Sequence, residues 1–226
     1  MSVRHVFFDL DHTLWDFETN SDKTFAYIFE RNRVTLDLER FTETYRPINR
    51  KYWKLFREDK VSKSDLRYSR LREAFDVLEF EAGDDLIHTL SEEYLAYLSL
   101  NNQLFAHALE VLEYLRKKYS LHIITNGFEE VQHRKLASSR LEPYFEHVVT
   151  SENVGVKKPD PRIFQYALEK AEARPTESIM IGDNYEADIQ GALNVGMRAI
   201  MCEFNGELPR EDVTTVKTLL ELKDHL

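Results

Sequence analysis

From Ala108 onward the chain alternates short apolar runs with amphipathic stretches of helical period, and no other feature constrains its fold as tightly. The pattern predicts helices over 108–118, 129–138, 160–171 and 186–195, and strands over 121–125, 147–150, 178–181 and 199–202. Strands separated by helices of that length do not form hairpins; they pair in parallel through right-handed crossovers. Val3 to Leu10, with Phe7 and Phe8, adds a further buried strand that stops at Asp9-Leu10-Asp11. The expected fold class is α/β, built on a Rossmann-like parallel sheet.

Between that first strand and the rest the period changes. Phe25, Ile28 and Phe29 follow Ser21, while Phe41, Tyr45, Ile48, Tyr52 and Phe56 recur every three to four residues. Leu66, Leu71, Phe75 and Leu78 follow Ser64-Asp65, and Leu86, Ile87, Leu90, Tyr94 and Leu98 follow Asp84-Asp85. This reads as a small helical bundle whose second helix is kinked at Pro47. The expected domains are therefore an α/β core over 1–15 and 101–226, with a helical insertion over 16–100. The 7 glycines and 6 prolines among 226 residues are about half the usual share, too few for a turn-stitched sandwich or barrel.

Charge and hydropathy narrow the partners. The 30 basic against 40 acidic residues leave a net charge of −10, which opposes binding of a nucleic-acid backbone but not of a small anion at a local positive site. The amino-terminal apolar run breaks at Asp9, far short of a signal core or of the stretch of about 20 residues that spans a bilayer. No nucleic acid and no membrane are expected, and the location is read as cytoplasmic. The single cysteine, Cys202, lies in the apolar run Ala199-Ile200-Met201-Cys202 and is expected to be a buried structural thiol.

Open parallel sheets bind ligands beyond the carboxyl ends of their strands, where strand order reverses. Here those ends carry Asp9-Leu10-Asp11-His12-Thr13, Thr125-Asn126-Gly127, Lys157-Lys158-Pro159-Asp160 and Gly182-Asp183-Asn184, with Asp188 a turn later. Asp9 and Asp11 are two apart and emerge on one face of an extended chain. With Asp183 they form an all-oxygen set suited to Mg²⁺, whereas no cysteine pair or two-histidine motif offers a zinc site. Thr125, Asn126 and Gly127 sit where a strand turns into a helix, so their N–H groups can hold phosphate oxygens. One carboxylate can attack phosphorus and the other can serve as acid and base, and spacing leaves open which does which. Lys157 and Lys158 are equally open, and each of these motifs alone is also an ordinary polar loop.

Taken in order, the motifs resemble those of the haloacid dehalogenase superfamily of phosphohydrolases over the whole chain. The resemblance implies Asp9 as nucleophile and Asp11 as general acid and base, with Thr125 and Lys158 on the transferring phosphoryl group and Asn126 beside them. It implies Mg²⁺ held by Asp9, Asp183 and the main-chain carbonyl of Asp11, supported by Asp188, and a helical cap that selects the substrate. Ile124 to Phe128, Ser151 to Val156 and Gly182 to Ile189 further resemble the pyrimidine 5′-nucleotidases that act on noncanonical nucleoside monophosphates. The implied substrate is a small phosphorylated metabolite, foremost a nucleoside monophosphate. A sugar-phosphate phosphatase or phosphomutase, and a binding module without turnover, are the competing readings. Trp15, Tyr52, Trp53, Phe56 and Phe128 are aromatic groups able to stack on a base, though helical spacing assigns those of the insertion to packing. His107, His122, His133 and His147 show no metal-ligand spacing.

Overall fold

The computed structural model describes residues 2–204 and 212–226. Two compact units divide the chain: one comprises Met1–Phe17 and Asn102–Leu226, the other Glu18–Asn101.

In the first unit a parallel sheet is formed by β1 (His5–Phe8) and five later strands. The second unit follows with α1 (Phe17–Asn32), α2 (Leu38–Arg57), α3 (Lys63–Val77) and α4 (Asp84–Tyr97). The chain then runs through α5 (Ala108–Leu115), β2 (Ser120–Thr125), α6 (Glu129–Ser138), β3 (His147–Thr150), the single turn α7 (Ser151–Val154) and α8 (Pro161–Lys170). It closes with β4 (Ser178–Gly182), α9 (Gly191–Asn194), β5 (Arg198–Cys202), β6 (Thr214–Val216) and α10 (Leu222–His225).

The strand order is β3-β2-β1-β4-β5-β6, and every pairing is parallel. Order therefore reverses at β1, which lies between β2 and β4 with His5 level with both Ser120 and Ser178. Val6, Phe7 and Phe8 are fully buried, as expected of a central parallel strand covered on both faces. On one face Phe7, Ile124, Val149 and Met180 pack against Ile163, Phe164, Ala167 and Leu168 of α8. That helix opens on Asp160, whose side chain caps the Arg162 N–H. Among the described residues no helix is long and apolar enough to cross a membrane.

Three local expectations need correction. The 186–195 helix is split, because Tyr185–Gln190 is wound as a π-helix before α9 begins. The three-residue β6 is absent from the expected strands and joins the sheet beside β5. In the other unit α1 begins at Phe17, ahead of Ser21, whose hydroxyl lies 2.9 Å from the Tyr94 hydroxyl instead of capping a helix. Helix α2 continues through Pro47. Within the bundle Phe25, Phe41, Tyr45 and Tyr94 form an aromatic core around the buried Arg70, whose Nη1 donates to Asn49 Oδ1 at 2.9 Å.

His122 of β2 has a pH consequence. Burial, and then the neighbouring His5 and His147, push its pKa down to about 3 from the ordinary 6.5. As pH falls the unfolded chain takes up this proton first, so the contribution is fully present above about pH 6.5 and is lost toward pH 3. The loss at pH 5 is about 2 kcal/mol. Urea unfolding at pH 7 and pH 5 should show wild type losing that much more than His122→Leu; equal losses would contradict a buried neutral imidazole.

Candidate active site

β1, β2 and β4 bring their carboxyl ends together at the point where strand order reverses. The Asp9 N–H still donates to Ile181 O at 2.8 Å, so the sheet ladder holds Asp9 in place. Beyond it the backbone turns sharply: His12 is left-handed at φ 61°, and Leu14 and Trp15 N–H both return to Leu10 O. A non-glycine residue in that region carries strain, of a kind concentrated at functional sites.

Oxygens of Asp9, Asp183 and Asp188 lie within 4.8 Å of one another. Lys158, only 2% exposed, donates from Nζ to Asp9 Oδ1 at 2.7 Å and to Ile124 O at 2.7 Å, and lies 2.6 Å from Asp188 Oδ1. Burial alone would depress this ammonium, but Asp188 and Asp9 outweigh it and hold its pKa above the ordinary value. Asp9 is also pushed upward, first by burial and then by Asp188 and Asp183 against the pull of Lys158. Asp183 is likewise raised by burial and by Asp188. Three carboxylates thus cluster where one ammonium, that of Lys158, pairs with two of them. A hard divalent cation with oxygen ligands fits that donor set and its uncancelled charge.

The π-helical turn places the third acid. Asp188 N–H donates to Asn184 O at 2.8 Å and Ile189 N–H reaches the same oxygen at 3.4 Å, while Asn184 N–H donates to Asp188 Oδ2 at 3.0 Å. Wound this way, Asp188 folds back onto the end of β4, where only glycine fits: a Cβ on Gly182 would sit 2.4 Å from Asp188 Oδ2 and 2.6 Å from its Cβ. Because the clash extends to Asp188 Cβ, rotating the carboxylate does not relieve it. Gly182→Ala is therefore expected to cost about 1–3 kcal/mol in urea unfolding, and an unchanged midpoint would contradict the tight fold-back.

Asp11 stands apart from the three clustered acids. Its carboxylate accepts from Lys135 Nζ at 2.5 Å and from Gln132 Nε2 at 3.0 Å. Both donors come from α6 and are essentially buried, and Lys135 Nζ also lies 4.3 Å from the Trp15 ring centroid. The sequence reading did not single out these two residues. Gln132 Nε2 reaches Thr125 Oγ1 as well, at 2.7 Å, and Gly127 N–H donates to the same oxygen at 3.1 Å. Since Thr125 Oγ1 accepts both, its own hydrogen remains to be given elsewhere.

Asn126 is occupied with Lys158: its Nδ2 donates to Lys158 O at 3.0 Å and its Oδ1 accepts from Lys158 N–H at 2.8 Å. This pair of bonds ties the lysine's backbone to the end of β2 and separates Lys158, which reaches Asp9, from its neighbour Lys157. Phe128 is buried at the start of α6 and Trp15 is fully buried. Cys202 is buried and its thiol is pushed well up by that burial. The fold brings together two histidines that sequence spacing does not relate: His122 and His147 are register partners in β2 and β3, and their donor atoms cluster with Glu146.

The chain matches the haloacid dehalogenase-like hydrolase family over residues 3–196. It is 32% identical to the pyrimidine 5′-nucleotidase PynA of Streptococcus pneumoniae over 202 residues, covering 88% of this chain and 84% of that one. The pyrimidine 5′-nucleotidase YjjG of Escherichia coli is 30% identical over 226 residues, 98% of this chain and 96% of its own. A glyceraldehyde 3-phosphate phosphatase of Methanothermobacter thermautotrophicus is also 30% identical, over 99% of this chain and 100% of its own. The crystal structure of the HAD-hydrolase YfnB from Bacillus subtilis bound to magnesium superposes with a TM-score of 0.90 at 26% identity, covering 100% and 99% of the two chains. A family match that opens two residues before β1 and ends beyond α9 takes in every group of this site, and by it the chain belongs to the haloacid dehalogenase-like hydrolases.

Proposed function

We propose that the chain is a Mg²⁺-dependent phosphomonoesterase that works through an aspartyl phosphate on Asp9, with pyrimidine nucleoside 5′-monophosphates as its substrates. The observation that carries the chemistry is the cluster of Asp9, Asp183 and Asp188, two of them paired with the buried Lys158, with Asp11 held by Lys135 and Gln132. The substrate class rests on the two 5′-nucleotidase relatives.

In this reading Asp9 and Asp183 would hold the ion with the Asp11 main-chain carbonyl, and Asp188 would support them. Bound there, Mg²⁺ would offset the negative charge of the carboxylates and of the incoming phosphate. Asp9 attacks phosphorus, the P–O ester bond breaks, and Asp11, which enters this step as the carboxylic acid, gives its proton to the departing oxygen. Asp11 then takes a proton from water, whose oxygen attacks phosphorus and frees Asp9 with release of phosphate. Lys158 orients Asp9 and counters charge, Thr125 donates its hydroxyl hydrogen to a phosphoryl oxygen, and Asn126 positions Lys158 while offering its main-chain N–H. The Glu18–Asn101 unit takes the role of the superfamily's cap and selects the leaving group.

Phosphate release measured across nucleoside monophosphates, sugar phosphates and small phosphorylated acids tests both levels. Turnover should require Mg²⁺, vanish on chelation and be highest for pyrimidine monophosphates. Activity that survives exhaustive chelation would overturn the metal assignment, and a preference for triose phosphates would overturn the substrate class.

A further inference from the structure

A second set of metal-ligating side chains lies at the opposite, amino-terminal edge of the same sheet. His5 begins β1, His122 is the third residue of β2 and His147 begins β3. His122 and His147 are register partners whose rings stack with centroids 5.3 Å apart and planes 9° from parallel. On the other side His5 Nδ1 is 3.3 Å from His122 Nε2. Donor atoms of His122, His147 and Glu146 all fall within 4.8 Å of one another.

His122 is fully buried, and among the described residues its Nδ1 has no hydrogen-bond partner. A neutral imidazole carries one N–H and one lone pair. Where Nε2 donates to His5, Nδ1 is left with a bare lone pair; where His5 donates instead, Nδ1 carries a hydrogen with no acceptor. A buried polar atom left unmet is unfavourable, and in the first arrangement the free lone pair can bind a cation. The carboxylate of Glu146 supplies the negative charge that a row of three imidazoles lacks, and as an exposed residue it keeps the cluster open to solvent.

We propose that His122, His147 and Glu146 form a second metal site, for a late first-row divalent ion of the zinc class, which clips edge strand β3 to β2. Two imidazoles and one carboxylate make a borderline donor set that favours Zn²⁺ or Co²⁺ over Mg²⁺, which binds through oxygen and keeps its waters. The hydrogen bond between His122 and His5 serves as the outer contact that orients a ligating ring. Water on the Glu146 side completes the coordination. The site uses none of Asp9, Asp11, Asp183, Asp188 or Lys158, so it stands or falls separately from the proposed phosphatase reaction.

The full-length protein, stripped with chelator and kept in excess Mg²⁺ to occupy the carboxylate site, is titrated with Zn²⁺ by calorimetry and with Co²⁺ by visible absorption. One equivalent should bind per chain, with Co²⁺ bands of mixed nitrogen and oxygen ligation. Zn²⁺ at a hundredfold excess over Kd should raise Tm by about 5 °C or more. His147→Ala and Glu146→Gln should each weaken Zn²⁺ binding by about tenfold or more, with Mg²⁺-supported phosphate release unchanged. His133→Ala, on the exposed face of α6, should leave Zn²⁺ binding as in wild type. Glu146→Gln changes only an exposed side chain, so it keeps the test decisive if His147→Ala fails to fold. Wild-type binding no tighter than that of Glu146→Gln, or an equivalent of Zn²⁺ that disappears in Asp183→Asn and not in the β3 variants, would overturn the site.

Discussion

Asp9→Asn is expected to lose phosphate release by several powers of ten while the protein stays folded. An amide of nearly the same shape is a poor nucleophile, and removing a group that forms the covalent intermediate costs about 10³-fold or more. Folding should not suffer. Asp9 is 8% exposed and its ionised form is opposed by burial and by two neighbouring acids, so a neutral amide removes repulsion at the cost of one ion pair with Lys158. Tm should be equal to wild type or higher. A folded variant that retains more than about a tenth of the rate would remove Asp9 from the nucleophile's role.

Asp11→Asn is expected to have the second-largest effect, and one that depends on the leaving group. Its carboxylate is held by Lys135 and Gln132 while that of Asp9 is held by Lys158, as suits a group that handles a proton while another attacks. The variant should slow formation of the aspartyl phosphate by about 10²- to 10⁴-fold for a nucleotide, whose alkoxide needs a proton to depart. An aryl phosphate, whose phenolate leaves unaided, should be slowed much less in that step. Breakdown of the intermediate should slow for both, so the burst and not the steady state carries the distinction. Equal slowing of the two bursts in rapid-quench measurements would make Asp11 a positioning residue.

Much of this was legible before any coordinates. Alternation of strand and helix gave the parallel sheet, and polar groups at the strand ends, acids after β1 and β4 and Thr125-Asn126 after β2, marked the edge where the three meet. What escaped notice did so for physical reasons. Gln132 and Lys135 sit in a helix that opens with Glu129-Glu130 and reads as a solvated face, yet they share one stripe with the buried Val131 and Leu136. A glutamine and a lysine on the same stripe as Val131 and Leu136 are the available signal. The winding of Tyr185–Gln190 escaped because a π-turn differs from an α-turn by one residue, too little to alter a short hydrophobic pattern. His122 and His147 are 25 positions apart in sequence, and only the register between β2 and β3 makes them neighbours.

The central claim is that phosphate passes through Asp9. Acid quenching during steady-state turnover of a nucleoside monophosphate, followed by mass measurement of the peptide spanning β1 and the turn after it, tests this directly. One phosphoryl group on Asp9 in wild type, absent in Asp9→Asn and accumulating in Asp11→Asn with an aryl phosphate, is the predicted result. Turnover with no phosphoryl group on that peptide, or with the group on another residue, would contradict it.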